Sequence, residues 1–101
     1  MADFILTKKA VSDLSEIWNY TCETWSEDQA DKYYQMLIDS FKTIAGNPEI
    51  GKKYDEIVKH LSGLKVGRHI IFYRIIQRNK IQIEITRILH EKMDLRSRLN
   101  K

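Results

Sequence analysis

The sequence predicts an α+β domain over residues 1–101: an N-terminal strand, an antiparallel helical hairpin packed on one face of a mostly antiparallel sheet, and a short C-terminal helix. The expected order is β-α-α-β-β-β followed by that helix. Two observations lead there. Residues 8–46 carry apolar side chains at three- and four-residue steps, the period of amphipathic helices. Residues 64–86 switch to short runs with a period of two, the period of strands. Helices with one apolar face bury it against a neighbouring layer, and here the sheet is the layer on offer.

Each element has a local reason. Phe4-Ile5-Leu6 is a short apolar run that reads as a strand, and Thr7 can cap the helix that follows. Val11, Leu14, Ile17, Trp18, Thr21 and Cys22 fall on one face of that helix, and Trp25 extends the stripe. Ser26-Glu27-Asp28-Gln29 fits a capping box. The second helix follows with Ala30, Tyr33, Tyr34, Leu37, Ile38, Phe41, Ile44 and Ala45 in register, Gly46 as its C′ residue and Asn47-Pro48 as its stop. Residues 47–63 lose periodicity and read as a loop with one helical turn near Glu56–His60. Leu64–Val66 is a short strand, and Gly67 a turn or bulge. Ile70–Ile76 is apolar on both faces, which marks a central strand. Arg78-Asn79 sits where a hairpin turn belongs, and Ile81, Ile83 and Ile85 alternate with polar residues in a half-buried strand. Asp94 can cap a last helix through Leu99.

Composition narrows the function classes. With 43% apolar and 31% charged residues the chain has the make-up of a globular domain, and no apolar run reaches the ~18 residues of a membrane span. One cysteine excludes an internal disulfide, and no signal peptide is visible, so a cytoplasmic protein without membrane contact is expected. The three histidines, His60, His69 and His90, are spread along the chain and form no metal motif. The four glycines make no phosphate loop, and no serine sits in a strand-to-helix elbow. No cofactor is expected.

Charge is the informative signal. Residues 1–50 hold four lysines and no arginine against nine acids, whereas residues 51–101 hold seven lysines and six arginines against five acids. All six arginines (Arg68, Arg74, Arg78, Arg87, Arg96, Arg98) lie in the second half. A sheet needs apolar residues to form, not this much guanidinium, so a face that meets something anionic is expected. The face of the sheet away from the helices is expected to remain open for that partner. Lys65, Arg68, His69, Arg74, Arg87 and His90 form the basic constellation, and Arg74 and Arg87 can converge if they lie on neighbouring strands. Such a cluster grips phosphates or pairs with acidic side chains. It also suits acid–base chemistry, with His90 as the first candidate because imidazole titrates near neutrality.

Motifs spread over nearly the whole chain carry a resemblance. They are Phe4-x-Leu6-Thr7-x-x-Ala10, Asp13-Leu14-x-x-Ile17-Trp18-x-Tyr20, Trp25, Gln29-Ala30-x-x-Tyr33 and Asn47-Pro48-x-x-Gly51, then Gly67-x-His69-x-Ile71-Phe72-Tyr73-Arg74 and Ile85-x-Arg87-Ile88-Leu89-His90-x-x-Met93-Asp94. In this order and spacing they resemble a toxin of the RelE/ParE superfamily of type II toxin–antitoxin operons, in its ParE branch. The resemblance implies a helical hairpin on a twisted antiparallel sheet. It implies a toxin that binds and inhibits DNA gyrase without chemistry of its own. It also implies a ParD-like antitoxin with a disordered acidic tail, through which alone operator DNA would be reached. Arg74, Arg87, His90, Met93 and Asp94 are the expected target-binding residues, with Asp94 as a helix cap and Met93 as a core residue the plainer readings. Replacing Arg87 by alanine is expected to abolish growth arrest and spare the fold. The alternative is a ribosome-dependent messenger RNA endonuclease of the RelE type, using Arg68, His69, Arg74, Arg87 and His90. Against it, residues 91–101 contain no tyrosine and position 69 is histidine where the nuclease branch tends to hold arginine. The residues that would hold the antitoxin are unassigned by the resemblance.

Overall fold

The first strand, β1 (Phe4–Leu6), is only three residues long because Thr7 ends it: its Oγ1 accepts a hydrogen bond from the Ala10 N–H and caps α1 (Lys8–Thr24). The structure, a computed structural model, describes residues 4–78 and 81–99. α2 (Glu27–Gly46) starts in the same way, with Ser26 Oγ accepting from the Gln29 N–H at 3.0 Å and two acids in the first turn, where the helix dipole favours them. Strands β2 (Lys52–Lys53), β3 (Ser62–Val66), β4 (His69–Arg78) and β5 (Ile81–His90) complete the sheet, and α3 (Leu95–Leu99) closes the described chain. The sheet order is β1-β5-β4-β3-β2; β1 runs parallel to β5 and every other pair is antiparallel.

The helical hairpin and one face of the sheet enclose the main core. Leu14 of α1 and Leu37, Phe41 and Ile44 of α2 meet Ile71 and Tyr73 of β4 and Ile83, Ile85 and Ile88 of β5. Each fully buried side chain of this size contributes roughly 1.5–3 kcal/mol. At the β3–β4 turn, Val66 pairs with His69 across Gly67-Arg68, and Gly67 takes φ +60°. A Cβ there would lie 2.8 Å from the Tyr33 ring, so glycine serves both the turn and the approach of α2.

Several expectations are revised. Gly46 is the last helical residue and Asn47 the cap, so no left-handed C′ glycine ends α2. The stretch 47–63 is more ordered than a loop: Pro48–Ile50 is a 3₁₀ turn, Lys52–Lys53 pair with Gly63 and Ser62, and β3 begins at Ser62 rather than Leu64. The helical turn lies at Tyr54–Val58, two residues before its expected place. On α1 the stripe is rotated, with Val11 and Trp25 exposed and Asp13 buried; Tyr34 and Ile75 are exposed too. The hairpin turn at Arg78-Asn79 is expected on residues of which Asn79 lies outside the described ones; Arg78 pairs with Ile81.

The second face of the sheet is not open. Leu61, Ile70, Phe72 and Leu89 form a second, smaller core, covered by Tyr54, Val58, Leu95 and Leu99. The Tyr54 ring stands edge-on to Phe72 with centroids 5.1 Å apart. Thus the 54–61 segment and α3 occupy part of the surface that the charge pattern assigned to a partner.

Candidate functional site

The short β1 leaves the outer edge of β5 without a strand neighbour beyond Ile85, and α1 takes over. The Thr7 N–H donates to Ile85 O, the Thr7 hydroxyl to Thr86 O at 2.8 Å, and the Ile88 N–H donates to Asp13 Oδ2 at 2.9 Å. Arg87 grips the same carboxylate through both Nε (2.8 Å) and Nη2 (3.0 Å). Asp13 is 8% exposed and therefore depends on these donors. The bonds to Asp13 push the Arg87 pKa above its ordinary value, with burial opposing. Arg87 is first of all the counter-ion of a buried acid.

Arg74 and Arg87 do approach one another. Both line a concavity of about 270 Å³ together with Lys9, Thr86 and Arg98. Arg74 is nonetheless engaged, its Nη2 2.9 Å from Glu84 Oε1 across the β4–β5 pair. Two of the three guanidinium groups of this hollow thus already face a carboxylate.

His69 and His90 are register partners on β4 and β5, with ring centroids 5.3 Å apart. His69 Nδ1 lies 2.6 Å from the Tyr33 hydroxyl, which also accepts the Arg68 N–H at 3.1 Å. His90 Nδ1 accepts the Lys92 N–H at 3.1 Å. Burial, followed by the neighbouring His90, drives the His69 pKa down from 6.5 to about 4, against the pull of Asp13 and Glu91. The fold therefore favours neutral His69, and the unfolded chain binds the extra proton first. Stability from this site is complete above pH 6.5 and is lost as pH falls toward 4. His69→Gln, which keeps an acceptor for Tyr33 and does not titrate, is expected to flatten the dependence of the urea midpoint on pH across that window. An unchanged slope would remove His69 as its cause.

Met93 is 39% exposed and so is not a core residue; it lines a groove of about 300 Å³ with Glu16, Tyr20, His90, Arg87 and Arg98. Asp94 does cap α3, with Oδ1 accepting the Ser97 N–H at 3.4 Å. Arg68 stands on the other side of the histidine pair, in a larger cleft with Tyr20, Trp25 and Tyr33. The structure thus brings His69 with His90, Arg74 with Arg87, and Met93 with His90. Three residues that the sequence reading named but did not assign to the site are Asp13, Tyr33 and Arg98. Asp13 had a visible signal, a lone acid among the buried Ala10 and Leu14 and the half-buried Ile17 of a helical stripe. Tyr33 had none beyond its place on an apolar face and in the motif Gln29-Ala30-x-x-Tyr33.

Among the described residues no cluster of histidine, cysteine, aspartate and glutamate could hold a metal ion, and no helix is long and apolar enough to cross a membrane. Residues 4–95 match the family described as ParE toxin of type II toxin-antitoxin system, parDE. Toxin ParE1 of Mycobacterium tuberculosis (strain CDC 1551 / Oshkosh) is 36% identical over 92 residues, 91% of this chain and 92% of the relative. Toxin ParE1 of Caulobacter vibrioides is 30% identical over 99 residues, 98% of this chain and 99% of the relative. A solved structure of the chromosomal ParDE TA system from P. aeruginosa superposes with a TM-score of 0.72 at 22% identity, covering 89% of this chain and 96% of that one. Its likeness supports the same α+β fold, helical hairpin against sheet. The chain belongs to the ParE toxin family of type II toxin–antitoxin systems.

Proposed function

We propose that this toxin arrests growth by binding and inhibiting DNA gyrase in the cytoplasm, and that a ParD-like antitoxin neutralises it. The reading is carried by the family match along residues 4–95. The proposed target surface comprises Arg74, Arg87, His90, Met93 and Asp94. Arg98 extends it, because this side chain lines both the Arg74–Arg87 hollow and the His90–Met93 groove. Arg87 contributes by fixing the end of β5 against α1 rather than by offering a free charge. No catalytic step and no cofactor enter this reading, and operator DNA is reached only through the antitoxin.

The test is the folded protein with gyrase, plasmid DNA and ATP. Lost supercoiling or accumulated linear DNA, reversed by the cognate antitoxin, is expected; unaffected gyrase overturns the target.

One observation favours the messenger RNA endonuclease as a second reading: three arginines around one hollow suit a phosphate. Two of them are already paired with acids. His69, with a pKa near 4 and its Nδ1 held by Tyr33, is a poor proton donor at neutral pH. Transcripts cut soon after induction would support this reading; intact transcripts during full arrest would remove it.

A further inference from the structure

The hollow between β5, α3 and the 54–61 segment has a chemistry that the target surface leaves unspecified. Among the described residues its walls carry four cations, Lys9, Arg74, Arg87 and Arg98, against one acid, Glu84. Arg87 is committed to buried Asp13. Arg74 uses only Nε and Nη2, both on the same oxygen of Glu84, so its second Nη group is left with two hydrogens to donate. Arg98 is exposed, and its guanidinium pairs with no carboxylate among the described residues. Arg98 and part of Arg74 thus remain to hold an anion.

Three kinds of anion differ in what they ask of such a place. A carboxylate is satisfied by one guanidinium fork and has no use for an apolar wall. A single-stranded nucleic acid stacks its bases on aromatic rings, and no aromatic side chain lines this hollow. No histidine lines it either, so nothing there moves a proton at neutral pH. A duplex keeps its bases paired and presents phosphodiester and deoxyribose to a protein. That pair fits. The phosphate oxygens accept from several directions at once, and the sugar carbons suit Val58, Leu61 and Leu99, the apolar part of the lining. A volume of about 270 Å³ has room for a phosphate with its sugar, far more than a carboxylate fills.

We infer that this hollow takes one phosphodiester of double-stranded DNA, held by Arg98 and Arg74 with a deoxyribose against Val58 and Leu99. The setting rests on the gyrase reading above: the duplex is the one that gyrase holds, so the toxin engages the enzyme and its DNA together. The contact is to backbone and carries no sequence preference.

The hollow is tested first without gyrase, on the full chain with ¹³C-labelled Val and Leu methyl groups. The probes are a short DNA duplex, a single-stranded RNA and an oligoglutamate. The duplex is expected to shift the Val58 and Leu99 methyls. Arg98→Gln is expected to lower the slope of log affinity against log salt by about 0.9, the value of one phosphate contact. Arg96→Gln removes the same charge from the same helix at an exposed residue outside the hollow, and is expected to leave the methyl shifts in place. Duplex binding that bypasses these methyls, or that Arg96→Gln weakens as much as Arg98→Gln, overturns the site. Tighter binding of RNA hands the hollow to the endonuclease reading, and tighter binding of oligoglutamate to an acidic protein segment; either overturns the inference.

The setting is tested second, as the affinity of the toxin for gyrase with and without bound duplex. DNA is expected to raise that affinity at least about tenfold, the value of a hydrogen bond to a charged group, and Arg98→Gln to remove the gain. Equal affinity with and without DNA overturns the inference and leaves gyrase as the target. A wild-type chain that takes the duplex in the hollow but binds no gyrase overturns the target and the setting together.

Discussion

Arg87→Ala is expected to destabilise the protein by about 3–5 kcal/mol, the cost of leaving a buried charge without its counter-ion. A domain of this size has a total stability of roughly 5–15 kcal/mol, so the loss is a large share. Asp13 is buried on α1, takes two bonds from the guanidinium and one from the Ile88 N–H, and keeps only the last in the variant. Urea unfolding measures the effect as a fall in midpoint. The cause is checked by adding Asp13→Asn to the Arg87→Ala protein. That change removes the stranded charge and retains an oxygen for Ile88, and it is expected to recover much of the loss. A midpoint that Arg87→Ala leaves within about 0.5 kcal/mol of wild type would make the pair incidental. The expectation that Arg87→Ala spares the fold is thereby revised, and a loss of toxicity in that variant says nothing about contact with a target. Arg98→Ala and Met93→Ala, both at exposed side chains, are the cleaner probes of that surface.

Tyr73→Phe is expected to cost about 2–3 kcal/mol, although it removes one oxygen from a ring that stays in place. That hydroxyl donates to Pro48 O at 2.7 Å and accepts the Gly51 N–H at 2.9 Å, so a single atom ties the 3₁₀ turn after α2 to the middle of β4. Tyr73 is fully buried, and without the hydroxyl both backbone groups lose their partner. Urea unfolding gives the size of the loss. Hydrogen exchange gives its location: the Gly51 amide is expected to lose protection before the amides of β4. Protection at Gly51 equal to wild type would sink the assignment.

The helices and the central strand were legible because their signals are local. Thr7 and Ser26 cap where the sequence places them, and the apolar residues on both faces of β4 do divide between two cores. The 47–63 segment was not legible because its order is made by distant partners. Lys52 and Lys53 become a strand only against Ser62 and Gly63, and buried Gly63 leaves the space that Tyr54 and Phe72 fill. The site failed to read for a related reason. Counted by twos from Ile83 and Ile85, position 87 belongs on the helix face. An extra residue at Thr86 breaks the count: Phe72 pairs with Arg87 but Tyr73 with Ile85. Ile88 thereby takes the core position and Arg87 is turned to the sheet's edge, where Asp13 waits. The step from Ile85 to Ile88 in the apolar pattern is the trace of that bulge, visible in the sequence but indistinguishable there from the end of a strand.

Because β1 is the first strand made and its neighbour β5 the last, the sheet has a consequence in time as well as space. Phe4 pairs with Ile83 and Leu6 with Ile85, so β1 waits for a partner about eighty residues further along the chain before it is held. The helical hairpin can form early, but its apolar side stays wet until β4 and β5 arrive, and contacts so far apart in sequence slow that final closure. A chain that stops short of β5 has no neighbour to hold β1. The sheet can close only after β5 has been made, a delay written into the order of the strands.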